Sequence, residues 1–351
     1  MPCTTPFRVA LGALLTVLTL GALAACGDRP QPDASRPELP FPPRAFEPPS
    51  TARRDGHDEP AGRVVRIGGA PEGIAVDPRT GAVGVAVGGP RHTFAILAPD
   101  TLAVRRTLAL GADARHVQAG DAGFLVPLEP IDRLAIVPGG GAAVRTVQVG
   151  DEPHDAAQVG ADIVVTDEFG EAVSVVRGGR RRATVAVDVQ PGGVAAVSTH
   201  QAAVVSVRAN TIAVLDLRTL AVGPSQNAGY GPSHVVALPD GRAFVADTRG
   251  DAVLEYATRP RLKALRRLGG VGAPYGLAVD ARRGRLWVTD VRGGRLLLVD
   301  VRRAGAPRVI RRWTAVDQPN SVAVAPSTGA AYVAGARGGL VQRIATDGAG
   351  D

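Results

Sequence analysis

His116 and His234 occupy the same place in a repeated stretch of this chain, and Asp155 occupies that place in a third copy. Imidazole nitrogens and a carboxylate oxygen are ligands that a divalent metal accepts, so the three are candidate metal ligands if the repeats converge. The same residue types also cap turns by bonding a backbone carbonyl or water, and Gly or Ser at the matching place in other copies agrees with that plainer role. Under the plainer reading no cofactor is expected; under the sharper one a divalent metal is. His154, Tyr230, Tyr275 and Asn320 lie beside these positions and form a candidate ligand-binding face. No catalytic residue can be assigned from the sequence.

Other chemistries are excluded more firmly. Cys3 and Cys26 are the only cysteines, so residues beyond 26 contain no thiol for a disulfide, a thiolate nucleophile or a zinc-thiolate site. Neither a glycine-rich phosphate loop opening a helix nor a Gly-x-Ser-x-Gly elbow is present.

The elements that must position the histidines come from a landmark: a proline, two residues on a small residue or histidine, then an alternating apolar strand. It recurs at Pro71, Ala114 (proline lost), Pro153, Pro191, Pro232, Pro274 and Pro319, at intervals of 38 to 45 residues. A period near 41 in β-rich sequence is one four-stranded propeller blade. The fifth copy shows the grammar, with strands over 234–238, 243–247 and 252–256 separated by Pro239-Asp240-Gly241 and Arg249-Gly250-Asp251.

The last unit stops after the strand Leu340 to Ile344 and lacks an outer strand, whereas Arg63 to Ile67 is one strand too many before the first landmark. One strand, six blades of four and three final strands make twenty-eight. The expected fold is therefore all-β, a seven-bladed β-propeller closed by an N-terminal strand that completes the last blade. Antiparallel pairing then sorts the loops. Those leading into first strands share an upper face with the turns between second and third strands, and the remaining turns lie below. Asp167, Asp247 and Asp290 each end a second strand, where a carboxylate most simply bonds turn backbone.

Ahead of the repeats, Arg8 precedes an apolar run over 9–25 that is shorter than the ~20 residues of a spanning helix, so 1–25 reads as a signal peptide. Leu23-Ala24-Ala25-Cys26 resembles the bacterial lipobox, which implies diacylglycerol on Cys26 and a lipid-anchored protein outside the cytoplasm. Residues 26–60 are rich in proline and charge and read as a disordered tether, leaving 61–351 for the propeller.

Val164-Val165-Thr166-Asp167, Trp287-Val288-Thr289-Asp290 and Tyr332-Val333-Ala334-Gly335 resemble the second-strand signature of YVTN-type propeller repeats. Gly73-Ile74-Ala75-Val76-Asp77-Pro78 is similar to the first strand of these and the related NHL repeats. The resemblance covers about residues 61 to 346, with Asp or Gly where the signature has asparagine. It implies the propeller fold, and some lyases of the NHL type hold a divalent metal on histidines in the channel.

The net charge is +7, carried almost wholly by arginine, with Lys263 the sole lysine. Only 4% of residues are aromatic, too few to interleave with basic clusters, so no nucleic-acid partner is expected. Arginine runs such as 180–182 fall in or beside fourth strands, where charge discourages edge pairing and a monomer is expected. The function expected first is a membrane-tethered binding or scaffold module for a protein, peptide or envelope polymer. The alternative is a metal-dependent lyase or lactonase-like enzyme at the channel mouth.

Overall fold

The computed structural model describes residues 48–52, 59–140, 142–302 and 305–346. The leader, the lipobox and Cys26 lie outside the described residues.

Seven antiparallel sheets follow one another along the chain, each ordered from an innermost to an outermost strand. Blade 1 spans 70–109, blade 2 118–148, blade 3 153–186, blade 4 191–227, blade 5 232–269 and blade 6 274–314. Blade 7 takes three strands from 319–344 and its outermost strand from Arg63–Arg66, which pairs with Leu340–Ile344 in the register Arg63 with Arg343 and Arg66 with Leu340. Every blade but the fourth has the four strands the sequence predicts, and the closing strand is the predicted one. Blade 4 departs slightly: Gly223 and Pro224 interrupt its outer strand, Ala221–Val222, and Gln226–Asn227 resumes the pairing. No α-helix occurs among the described residues, and a 3-10 turn over Glu129–Ile131 is the sole helical element there.

Successive side chains point to opposite faces of each sheet, and both faces are largely apolar because a blade is covered on both sides by its neighbours. The core is accordingly divided among the blade interfaces. Phe94 of blade 1 packs on Phe124 of blade 2 at 5.1 Å between ring centroids. Tyr332 and Val341 of blade 7 pack with Ile74 and Leu97 of blade 1, so the joint that closes the ring is as apolar as the others.

Residues 48–52, which the sequence reading gives to the tether, lie against the upper face of blades 6 and 7. Thr51 Oγ1 donates to the Val291 carbonyl at 2.7 Å and accepts from Gln318 N–H at 3.1 Å, and Ala52 N–H donates to the Arg292 carbonyl at 2.9 Å.

The inner strands share an irregularity that matters for the site. In the six blades that keep the landmark proline, the ladder to the second strand breaks just after it, as between Pro153 and Ala156 or Pro232 and Val235. Such a bulge frees the intervening residues from strict alternation and re-aims their side chains. His154, Asp155 and His234 all sit in these bulges.

Candidate functional site at the channel mouth

First strands line a central cavity of about 210 Å³, bordered by Gly73, His116, Asp155, His234, Gly276 and Asn320 among others. That is room for several water molecules or a small functional group.

At the upper end, blades 2, 3 and 5 bring three imidazoles together. His116 lies 4.3 Å from His154 and 4.6 Å from His234 between ring centroids, and His154 lies 6.3 Å from His234. One ligand nitrogen from each falls within 4.8 Å of the others. Blade 4 intervenes between blades 3 and 5, and it carries Gly192 and Gly193 there. A Cβ on Gly193 would come within 2.8 Å of His234 Cα, so a side chain at that place would push His234 away. Gly73 stands in the same relation to the backbone of His116, at 2.8 Å. Two glycines thus make the space in which the histidines meet.

The three rings differ electrically. Burial, reinforced by the neighbouring charge on His154, holds His116 well below the usual histidine range and takes His234 down to about 3, so both are neutral. Burial alone would do the same to His154. Instead Glu168 and Glu129, each with an oxygen 3.1 Å from His154 Nδ1, outweigh it and raise His154 to about 10. Glu168 is itself oriented by Gln190 Nε2, which donates to Oε1 at 2.7 Å. Metal-binding histidines commonly give one ring nitrogen to a carboxylate and the other to the metal, and His154 has carboxylates at Nδ1. His234 Nε2 and His116 Nδ1 are 3.3 Å apart, while the buried His116 Nε2 has no hydrogen-bond partner among the described residues. Two glutamates and three imidazoles in their neutral form would balance a doubly charged cation.

Of the three candidate ligands named from the repeats, His116 and His234 lie side by side. The structure gives the third place to His154, not Asp155. The Asp155 carboxylate accepts backbone N–H groups of Ala156 at 2.8 Å and Val194 at 3.1 Å, joining blades 3 and 4, and burial against those bonds raises it to about 6. Of the four residues on the predicted ligand face, His154 and Tyr275 are buried at 3% and 2% exposure, and Tyr275 packs its edge against His234 at 4.4 Å. Asn320 is buried and accepts from Gln318 Nε2 at 3.1 Å. Tyr230 alone stands in solvent, at 78% exposure. Asp167, Asp247 and Asp290 accept from loop backbone at Gly150, Gly231 and Ala273, as turn caps do.

Glu129 and Glu168 carry a signal that spacing could have exposed. Leu128 pairs with Arg133 and Asp167 with Ala172 at the ends of second strands, so the two glutamates occupy equivalent places in adjacent blades. His154 enters between them.

No protein-family model matches the chain, and no curated protein does. Solved structures do. The hydrazine synthase of Kuenenia stuttgartiensis shares 16% identity at a TM-score of 0.69 over 84% of this chain and 99% of that one. Virginiamycin B lyase from Staphylococcus aureus shares 11% identity at 0.66, over 82% of this chain and 99% of that one. A chain of the mitotic checkpoint complex shares 13% at 0.70, over 87% and 99%. At such identities the likeness establishes the propeller fold and nothing finer.

Proposed function

We propose that this propeller works outside the cytoplasm as a monomer, anchored to a membrane through Cys26, and holds a divalent transition-metal ion on His116, His154 and His234. Its repeats are read as of the YVTN or NHL type on the strand signatures at Asp167 and Asp290. The observation that carries the metal is the convergence of three buried imidazoles from three blades, with His116 Nε2 left without a hydrogen-bond partner among the described residues. A buried polar atom without a partner costs about 1–3 kcal/mol, a cost that ligation removes.

A metal at this place supplies a Lewis acid toward a carbonyl or ester oxygen. The protein's own residues do the rest. Glu129 and Glu168 fix the His154 ring, Tyr275 packs against His234, and the narrow channel admits a small reactive group while the bulk of a ligand lies above it. That geometry favours a lyase or lactonase-like reaction, the class to which one fold neighbour, virginiamycin B lyase, belongs by name. A binding module for a protein, peptide or envelope polymer is the second reading, and the exposed Tyr230 favours it, because an aromatic side chain in solvent on the upper face is a typical docking anchor.

Metal analysis separates the two. The protein dialysed against zinc, nickel or manganese should retain close to one ion per chain, and His116→Ala combined with His234→Ala should release it. A wild-type protein that retains none of them leaves the binding module as the function.

A further inference from the structure

The outer strands carry a pattern that the channel site does not use. Arg63–Arg66, Val104–Ala109, Arg145–Gln148, Arg180–Ala186, Lys263–Gly269 and Arg308–Thr314 together hold fourteen arginines and lysines and not one aspartate or glutamate. All fourteen are exposed. The outer strand of blade 4, Ala221–Val222, is uncharged and forms the one gap.

Protection of outer edges from pairing needs charge, but charge of either sign serves. One sign on six of seven strands makes a positive belt around the rim. Acidic partners exist on the inner side of that belt, where Asp162 holds Arg182 and Glu255 holds Arg266, yet the outward strands themselves present none.

We infer that this belt binds a flexible polyanion of the cell envelope, a linear phosphodiester polymer that follows the circumference. The shape of the belt selects that occupant over a bilayer. Seven blades set neighbouring outer strands about 51° apart, so a flat surface meets two or three blades at a time and leaves the others in solvent. A flexible chain can engage them in succession, and guanidinium forks match phosphate oxygens in pairs. Shortage of exposed aromatics removes the stacking that single-stranded nucleic acid uses. The envelope as the polymer's location rests on the proposed anchor at Cys26, whereas the belt stands apart from the metal reading, and either can fail alone.

The test uses the purified protein with long-chain polyphosphate as probe, read by fluorescence anisotropy, and with vesicles of phosphatidylglycerol or phosphatidylcholine, read by co-sedimentation. A lipid anchor would bind both vesicle types, so their difference isolates charge. Polyphosphate should bind at physiological salt and lose at least tenfold in affinity when salt is doubled. Arg105→Gln with Arg106→Gln on blade 1, and Arg180→Gln with Arg181→Gln on blade 3, should each weaken it by about threefold or more, and all four together by more than either pair. These side chains are exposed, so folding is checked by an unchanged melting temperature. Binding that is absent at physiological salt, or indifferent to all four substitutions, overturns the inference. So does tighter charge-dependent binding to phosphatidylglycerol vesicles than to polyphosphate, or tighter binding to single-stranded RNA than to polyphosphate, which would point to recognition of bases.

Discussion

Two buried polar clusters lie on the upper face of the propeller, and they differ in how completely they are satisfied. On the side of blades 6 and 7, Gln318 donates to Asn320 Oδ1 and the Pro49 carbonyl and accepts from Thr51 N–H, so its amide is fully engaged. On the side of blades 2, 3 and 5, a buried imidazole nitrogen of His116 has no hydrogen-bond partner among the described residues, and two neutral rings crowd a charged one. Burial is alike on both sides, so burial alone does not mark a site. A network that closes on itself holds the fold together, whereas one left open at its centre is a candidate for a ligand.

The largest effect should come from removing what both clusters depend on. Deleting residues 61–68 takes away the strand that pairs with Leu340–Ile344 and leaves blades 7 and 1 unlocked. The melting temperature should fall by more than about 10 °C or the cooperative transition should vanish. An unchanged melt would show that closure does not hold the ring.

Next in size is a pair of substitutions that should separate the two clusters. Glu168→Gln removes the main carboxylate behind His154 and should weaken metal affinity about 10–100-fold with the fold intact. Gln318→Ala should cost about 1–3 kcal/mol of stability, read by chemical denaturation, with metal affinity unmoved. If both variants affect the same property, the clusters are one network and the contrast drawn between them fails.

Acidity sharpens the same contrast. In the metal-free protein His154 titrates near 10 against about 6.5 when unfolded, so its stabilising contribution is complete below pH 6.5 and is lost as pH rises through about 10. His116 and His234 have the opposite sign. Their folded values are depressed, so what they contribute is present above pH 6.5 and lost as pH falls. Thermal melts of the metal-free protein should therefore be highest near neutrality, and Glu168→Gln should flatten the alkaline limb. The smallest change is Thr51→Val, which loses the Val291 and Gln318 bonds and should lower stability by about 1 kcal/mol while leaving metal binding and His154 untouched.

Much of the molecule was legible before any coordinates. The proline landmark, the turn glycines and the stray strand at 63–67 specify seven four-stranded units and their closure, because strand alternation and turn chemistry are local properties. Asp247 and Asp290 were readable as turn caps for the same reason.

Part of the candidate cluster is legible in the sequence. His116 and His234 share a repeat position, and ring closure alone brings equivalent positions to the same height in the channel. The third partner was decided by tertiary structure. After Pro153 the strand bulges, so His154 and Asp155 do not keep the facing that simple alternation assigns, and Asp155 turns to backbone N–H groups of the next blade. The absence of side chains at Gly192 and Gly193 then lets rings from blades 3 and 5 approach across blade 4. A sequence specifies which residues recur and at what interval. Which of two adjacent residues faces a shared centre, and whether its polar atoms find partners there, depends on several blades packed at once.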